Sequence, residues 1–286
     1  MSADNTLGMS SNQFLRSRRI AHMSLGINQE HKNREEAGQS IEAIHRLNSG
    51  KVSDKWASYL KYYDQLFEKL RHEPIAMLEI GVQNGGSLET WSKFFTKAVH
   101  LIGCDINPKC TDLYYEDPRI QIVVGDVNAV STAQRILDIS PGFDIVIDDG
   151  SHLSIDILKS FITYFPALKS GGIYIVEDAH CLYLKDYGGG ILNESSAHQF
   201  FKKLCDVINF QFWNADLSLE NYLSGYFGSG PLPNFISEGW IDSVEFRNSL
   251  IIIRKATAGG HQKLGDHIIS GSIAAVESWG GRYGSR

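Results

Sequence analysis

Residues 143–180 read FDIVIDDGSHLSIDILKSFITYFPALKSGGIYIVEDAH and decide the fold class. The first six residues form a short apolar run rich in β-branched side chains, which predicts a buried strand. Residues 154–168 then place apolar side chains at helical spacing, and Gly171 and Gly172 separate them from a second apolar run, IYIV. Strand, helix and strand in this order predict a βαβ unit with two parallel strands that are buried on both faces.

The same alternation continues on either side of this unit. Further strands are predicted in AMLEIGV (76–82), VHLIGCDIN (99–107) and IQIVVGDV (120–127), with turns or helices between them. Near the other end, IDSVEFRNSLIIIRK (241–255) predicts an antiparallel hairpin that closes the sheet. The pattern therefore predicts a doubly wound α/β fold.

Composition restricts the functional class. The chain has 286 residues, is 43% hydrophobic and 21% charged, and carries a net charge of −6, which disfavours a general nucleic-acid binder. No apolar run reaches the roughly 18–20 residues of a membrane span, and the N-terminus lacks an apolar signal region, so we expect a cytoplasmic protein. Its four cysteines show no C-x-x-C spacing and are expected to be reduced thiols.

We divide the chain into an N-terminal arm and helical extension, 1–52, and a main domain, 53–286. The main domain is expected to begin with an amphipathic helix at SDKWASYLKYYDQLFEKLRHEP (53–74), with Ser53 as its N-cap. Within the domain, residues 185–235 depart from the βα alternation and are expected to form an insertion or lid on the acceptor side. The arm and the insertion also suggest a homo-oligomer.

A glycine turn follows the first strand in EIGVQNGGS (79–87). A nicotinamide dinucleotide would need glycine where Gln83 stands, so a cofactor without phosphates fits better, and Glu79 could face its ammonium group. Asp105 ends the second strand, where a carboxylate can accept hydrogen bonds from both ribose hydroxyls. Asp126 ends the third strand, where it can hold an adenine amino group. In open α/β sheets, ligands bind at these carboxyl ends.

These segments, together with GCDIN, GDV and FDIVIDDGSH, resemble the class I S-adenosylmethionine-dependent methyltransferases over residues 76–180. The resemblance implies a Rossmann-like, mostly parallel seven-stranded sheet with an antiparallel last strand, and S-adenosylmethionine as the cofactor. It implies cofactor contacts at Glu79, Gly81, Ser87, Asp105, Asn107, Asp126 and Asp148.

Acidic residues follow both strands of the opening unit: Asp149 and His152 after the first, Glu177 and Asp178 after the second. Adjacent parallel strands bring these side chains to one rim of the sheet. Three carboxylates without a thiolate suit Mg²⁺, or else Mn²⁺ or Ca²⁺. A divalent ion lowers the cost of ionising an alkyl hydroxyl, and His152 can accept the proton as general base.

This arrangement resembles the metal-dependent, mycinamicin-type sugar O-methyltransferases of macrolide biosynthesis. The resemblance implies the metal ligands Asp149, Glu177 and Asp178, with Asp149 and His152 in the catalytic centre. The expected acceptor is a sugar hydroxyl of a glycosylated natural product, as in antibiotic biosynthesis, or of a cell-surface saccharide. Four alternatives stay open: acids that only cap the next helix, a catechol-type phenolic O-methyltransferase, a metal hydrolase, and a silent binding module.

Overall fold

A computed structural model gives the architecture of residues 38–227, 230–257, 266, 268, 270–273 and 275. Residues 1–37 of the predicted N-terminal arm and helical extension (1–52), and most residues after 257, lie outside the described residues. The helices are α1 Ile41–Arg46, α2 Ala57–Phe67, α3 Gly86–Phe94, α4 Val130–Ile139, α5 Ser154–Tyr164, α6 Ala197–Ile208, α7 Leu219–Phe227 and α8 Asn234–Ser237. The strands are β1 Ala76–Ile80, β2 His100–Asp105, β3 Ile120–Val124, β4 Phe143–Asp148, β5 Leu168–Val176, β6 Ile241–Arg247 and β7 Leu250–Lys255. Short 3₁₀ turns lie at Glu68–Leu70, Pro108–Asp112, Ala179–Tyr183, Lys185–Tyr187 and Phe210–Phe212.

The seven strands form one sheet in the order β3-β2-β1-β4-β5-β7-β6. Strands β1 to β5 are parallel to one another, and β7 runs antiparallel to both β5 and β6. The predicted Rossmann-like, doubly wound sheet with its reversed last strand and closing hairpin is thereby confirmed. The strand order reverses between β1 and β4, where such folds place their ligand.

Each face of the sheet has its own apolar core. Successive strand residues point to opposite faces, so Met77 packs with α2 and α3 while Leu78 packs with α5 and α6. The helical extension joins the first core, because Ile41 and Ile44 of α1 are buried there. On the other face, the predicted 185–235 insertion contributes α6, whose apolar side packs into the second core.

Two predicted helix boundaries are wrong. The helix expected from Ser53 begins at Ala57, with Trp56 as its extended N-cap residue, so residues 53–56 form a non-helical segment. The helix predicted through Leu168 ends at Tyr164, because Pro166 stops it and Leu168 already pairs with Phe143 in the sheet. Among the described residues, helices are too short or too polar to cross a bilayer.

Candidate active site at the carboxyl ends of the strands

A cavity of about 760 Å³ opens at the carboxyl ends of β1, β2, β3, β4 and β5. Its size is that of a typical small-molecule or cofactor site. The wall comes from the loops after these strands and from the segment that precedes α2. The predicted site residues on this wall are Gly81, Asp105, Asp126, Asp148, Asp149, His152, Glu177 and Asp178.

The turn after β1 is shaped for close backbone contact. Gly81 has φ 84°, and a β-carbon on it would lie 2.1 Å from the carbonyl oxygen of Asp149. A side chain is therefore excluded by sterics as well as by the left-handed backbone. Gln83, which replaces the expected glycine, also has a positive φ of 48°, and its backbone nitrogen donates to Asp105 Oδ2 at 2.8 Å.

The acids after β2 and β3 are held by backbone groups of their own loops. Asp105 Oδ1 accepts from the backbone nitrogen of Asn107 at 2.8 Å, and Asp126 Oδ1 accepts from that of Asn128 at 2.9 Å. Both side chains reach the cavity with fixed orientation. They are thus positioned to accept hydrogen bonds from a ligand.

Asp148 lies deeper, at the end of β4. It is 3% exposed and accepts a hydrogen bond from the hydroxyl of Tyr174 at 2.9 Å. Burial raises the pKa of Asp148 to about 7, although the Tyr174 hydrogen bond opposes the rise. This carboxyl group therefore titrates near neutral pH in the ligand-free protein.

Three predicted cofactor residues do not line the cavity. Glu79 is fully buried behind the wall, where its Oε2 accepts from Ser87 Oγ at 2.7 Å and Trp91 Nε1 at 3.2 Å. Asn107 lies outside the cavity, and its side chain accepts from the backbone nitrogen of Lys109. Cofactor contacts at these three positions, Glu79, Ser87 and Asn107, stay predictions.

The rim group consists of Asp149, His152 and Asp178. One ligand atom from each lies within 4.8 Å of the others, close enough to share a metal ion. His152 Nε2 is 4.0 Å from Asp149 Oδ1 and 3.8 Å from Asp178 Oδ2. The backbone holds His152 and Asp178 at positive φ values of 57° and 50°. Non-glycine residues rarely adopt this conformation, and those that do are concentrated at functional sites.

Glu177, the third predicted metal ligand, points into the protein. Its side chain is 2% exposed, and its Oε1 accepts from the hydroxyl of Tyr63 at 2.8 Å. Its Oε2 lies 2.9 Å from the ammonium of Lys55. Burial raises the pKa of Glu177, and Lys55 offsets part of that rise. Both oxygens of Glu177 are therefore engaged by the protein.

Lys55 is a site residue that the sequence did not predict. Its side chain is 4% exposed, and its Nζ also lies 2.6 Å from Asp149 Oδ2 and 3.3 Å from Glu79 Oε1. The Glu79 contact is an ion pair without hydrogen-bond geometry. Burial alone would lower the pKa of Lys55, but Glu177, Asp149 and Glu79 raise it well above its ordinary value. Lys55 is thus a buried cation among three carboxylates.

Helix α2 and its N-cap residue Trp56 supply further unpredicted contacts. Trp56 Nε1 donates to Asp178 Oδ1 at 3.0 Å, and the Tyr59 hydroxyl lies 2.9 Å from the same oxygen. The backbone nitrogen of Asp178 donates to the Tyr59 hydroxyl at 3.2 Å. Tyr59 and Tyr63 are four residues apart and lie on one face of the helix. Their pairing with the strand-end acids follows from the tertiary fold.

The donor chemistry of the rim group fits a hard divalent ion. Mg²⁺ prefers oxygen ligands and commonly binds through one or two protein carboxylates plus water, which Asp149 and Asp178 can provide. A zinc site would require more nitrogen or sulfur ligands than these residues supply. The cavity therefore combines a deep, hydrogen-bonding half with an outer half that suits a metal ion.

The sequence matches no model of a known protein family. It is 32% identical over 183 residues to the 8-demethyl-8-(2-methoxy-alpha-L-rhamnosyl)-tetracenomycin-C 3'-O-methyltransferase of Streptomyces olivaceus, covering 59% of this chain and 46% of that protein. It is 36% identical over 138 residues to the mycinamicin VI 2''-O-methyltransferase of Micromonospora griseorubida, covering 46% of this chain and 34% of that protein. The chain spans about half, or less, of the length of these two relatives.

Among solved structures, the fold is similar to the MycE methyltransferase from the mycinamycin biosynthetic pathway in complex with Mg and SAH. The TM-score is 0.63 at 25% identity, and the match covers 76% of this chain and 55% of that one. Another crystal of that protein contains Mg, SAH and mycinamycin VI, with a TM-score of 0.62 at 25% identity, covering 76% of this chain and 54% of that one. These comparisons confirm the predicted resemblance to macrolide sugar O-methyltransferases and the class I methyltransferase fold.

Proposed function

We propose that this chain, which has the class I methyltransferase fold and is similar to sugar O-methyltransferases, moves a methyl group from S-adenosylmethionine to a sugar hydroxyl. One observation carries the proposal: a single cavity contains both the strand-end acids Asp105 and Asp126 and the rim group. The first pair can bind a nucleoside, and the rim group can hold an ion beside an acceptor. Methyl donor and acceptor would then meet between them.

In this proposal the deep half of the cavity binds the cofactor. Asp105 accepts hydrogen bonds from the ribose hydroxyls, and Asp126 accepts one from the adenine amino group. The backbone at Gly81 passes close to the ligand, since the turn there has no side chain. Asp148 closes the floor of the cavity between these residues and the rim group.

Asp149 and Asp178 of the rim group would hold Mg²⁺. When bound, the ion lowers the pKa of a coordinated hydroxyl and fixes the orientation of the acceptor. The Trp56 and Tyr59 side chains keep Asp178 in place for this role. Glu177, with both oxygens already engaged, stays a predicted third ligand.

His152 is the proposed general base. Its Nε2 lies at the cavity, 4.0 Å from Asp149 Oδ1 and 3.8 Å from Asp178 Oδ2, where it can accept a proton from an acceptor bound at the rim group. Its Nδ1 is buried and makes no hydrogen bond within the described residues. The His152→Ala variant should therefore keep its metal affinity but lose turnover.

The acceptor we favour is a rhamnose-type sugar of a glycosylated natural product, because the Streptomyces olivaceus relative is named for a rhamnosyl tetracenomycin acceptor. The predicted acceptor-side segment 185–235 exposes Ile191 and Leu192, which could contact an apolar aglycone. A cytoplasmic location and a homo-oligomeric state also belong to this proposal. Light scattering of the purified chain tests the oligomeric state.

Calorimetric titration with S-adenosylmethionine tests the cofactor. Asp105→Asn should bind at least tenfold more weakly, since hydrogen bonds to charged acceptors contribute about 1.5–3 kcal/mol. Asp138→Asn is the matched control, because Asp138 is an exposed helical acid outside the cavity that bonds only Gln134 among the described residues. Absence of cofactor binding in the unaltered chain would reject the methyltransferase assignment.

Turnover on a panel of rhamnosyl and other deoxysugar glycosides, followed by mass spectrometry, tests the reaction. Asp178→Asn should retain cofactor affinity and lose most of its turnover. Chelation should also remove activity, and added Mg²⁺ should restore it. Equal turnover with and without chelator would reject the metal role while leaving cofactor binding intact.

A further inference from the structure

Residues 81–86, here called the cofactor turn, are held at their tip by groups that come from β2 and the segment after it. Gln83 at the tip has φ 48°, in the left-handed region that non-glycine residues rarely adopt. Its backbone nitrogen donates to Asp105 Oδ2 at 2.8 Å, and its carbonyl oxygen accepts from Cys110 Sγ at 3.3 Å. Both backbone polar groups of Gln83 are therefore engaged by neighbouring side chains.

A further contact holds the end of the cofactor turn. The Tyr115 hydroxyl donates to the carbonyl oxygen of Gly85 at 2.9 Å. Gly85 has φ 79°, and a β-carbon there would collide with that hydroxyl, so the backbone and the neighbouring side chain both require glycine. Gly85 is also the N-cap residue of α3, and no side chain caps this helix. Tyr115 thus fixes the point where the turn becomes a helix.

The helical extension braces the same place. The ammonium of Lys51 lies 4.1 Å from the centre of the Tyr115 ring, within the range of a cation–π contact. The backbone N–H of Gly86 donates to the carbonyl oxygen of Val52 at 3.0 Å. The helical extension and the segment after β2 therefore both hold the cofactor turn.

We propose that Tyr115 is a positioning residue of the cofactor site, whose hydroxyl holds the cofactor turn in the conformation that S-adenosylmethionine binds. This inference rests on the proposed function, in that it assumes cofactor binding at Gly81 and Asp105. Gly81 and Gln83 belong to the cavity wall and Tyr115 does not, so Tyr115 acts through the turn and not by touching the ligand. A turn that already has its bound shape loses less conformational freedom on binding, which raises the affinity.

Calorimetric titration of the full chain with S-adenosylhomocysteine, the product form of the cofactor, tests this role. Tyr115→Phe removes the hydroxyl and keeps the ring beside Lys51. We expect this variant to bind about threefold to tenfold more weakly, which is the range that one net hydrogen bond supplies. Tyr114→Phe is the matched control, because Tyr114 is 76% exposed and its Kd should not change.

Hydrogen–deuterium exchange separates positioning from general support of the fold, because it reports local opening of the chain. In Tyr115→Phe, the backbone amides of the cofactor turn should exchange faster than in the original chain, and S-adenosylhomocysteine should restore most of their protection. The amides of the buried strand β4 should change less than those of the turn. Equal acceleration in the turn and in β4 would mean that Tyr115 only supports the fold, and would overturn the inference.

Cys110→Ala is a second variant that removes the thiol contact to Gln83. We expect it to bind about twofold more weakly, less than the change in Tyr115→Phe, since a thiol is a weak donor. If the unaltered chain binds and both variants keep its Kd, the role of the segment after β2 is rejected while the proposed function stands. A Tyr115→Phe chain that does not fold would also overturn the inference. Absence of binding to the unaltered chain would reject the proposed cofactor site itself, and this inference with it.

Discussion

Replacing Tyr63 by phenylalanine tests whether α2 supports the acids of the active site. The substitution removes one hydroxyl, which donates to Glu177 Oε1 at 2.8 Å, and leaves the aromatic ring. That ring stacks on Phe67 at 5.1 Å and packs against Trp91 at 5.8 Å between centroids, and both contacts are retained. Any change in stability therefore reports the hydrogen bond.

Burial determines how much stability the Tyr63→Phe substitution removes. Tyr63 is 0% exposed and the Glu177 side chain 2% exposed, so water cannot replace the lost donor. Burial and the neighbouring Glu177 charge raise the pKa of Tyr63 well above its ordinary value, so the phenol stays a donor at neutral pH. A hydrogen bond to a charged, buried acceptor contributes about 1.5–3 kcal/mol. We expect a loss of about 2 kcal/mol.

Tyr62→Phe is the matched control on the same helix. Its hydroxyl donates to Glu245 Oε2 at 2.7 Å, but the Glu245 side chain is 41% exposed and water can take over the bond. We expect a loss below about 1 kcal/mol for this variant. For a chain of this size, Tyr63→Phe should lower Tm by roughly 4–8 °C, clearly more than the control.

Urea unfolding followed by circular dichroism, together with thermal melting, measures both variants against the original chain. The unfolding slope should not change, since neither variant alters the area exposed on unfolding. Equal losses for the two variants would mean that burial of Glu177 does not increase the value of its hydrogen bond. A neutral Tyr63→Phe would refute the claim that α2 holds this acid.

Three further predictions concern the cavity and the thiols. Gly81→Ala should destabilise the fold and abolish cofactor binding in calorimetry, because φ 84° costs a side chain about 1–2 kcal/mol and its β-carbon would clash with Asp149; unchanged Tm and affinity would contradict this. Without ligands, the free energy of unfolding should fall by up to about 4 kcal/mol as the pH rises from about 4 to about 7. Burial raises the pKa of Asp148 in the folded state to about 7, so in this range the folded state binds a proton that the unfolded state has lost. Urea unfolding of Asp148→Asn should lack this component, and identical pH profiles for the two proteins would exclude it. With a thiol reagent, the exposed Cys205 should react before unfolding, whereas Cys104, which is buried and has its pKa raised to about 12, should not; early labelling of Cys104, detected by peptide mass mapping, would contradict the core packing.

The fold could be predicted because its signals are local. Each strand is a short apolar run, and the helix of the βαβ unit repeats apolar residues at its own spacing, so the sheet follows from rules of connection. Four acids of the site could be predicted for the same reason, since each lies at or directly after the end of a strand: Asp105, Asp126, Asp149 and Asp178. Their convergence on one cavity then follows from the parallel sheet.

The contacts from α2 and from the non-helical segment 53–56 before it could not be predicted in this way. Lys55 lies 94 residues from Asp149 and 122 residues from Glu177, and no spacing rule connects them. The prediction of a helix from Ser53 also worked against finding Lys55, because it placed this residue in the first turn of a helix, where a charged side chain is expected to face solvent. An N-cap serine contributes only about 1 kcal/mol, which the ion pairs of Lys55 and the indole bond of Trp56 outweigh.

The charge balance explains why the segment before the sheet belongs to the active site. Glu79, Asp149 and Glu177 place three carboxylates around one point, and each would be costly to bury alone. Lys55 supplies one positive charge and Tyr63 one hydrogen bond, which offset the charge on the inner side but leave Asp178 on the rim. In the proposed function, a divalent ion would supply positive charge at that rim. Glu79 and Glu177 therefore serve the fold through Lys55, whereas Asp149 contacts Lys55 through one oxygen and also belongs to the rim group.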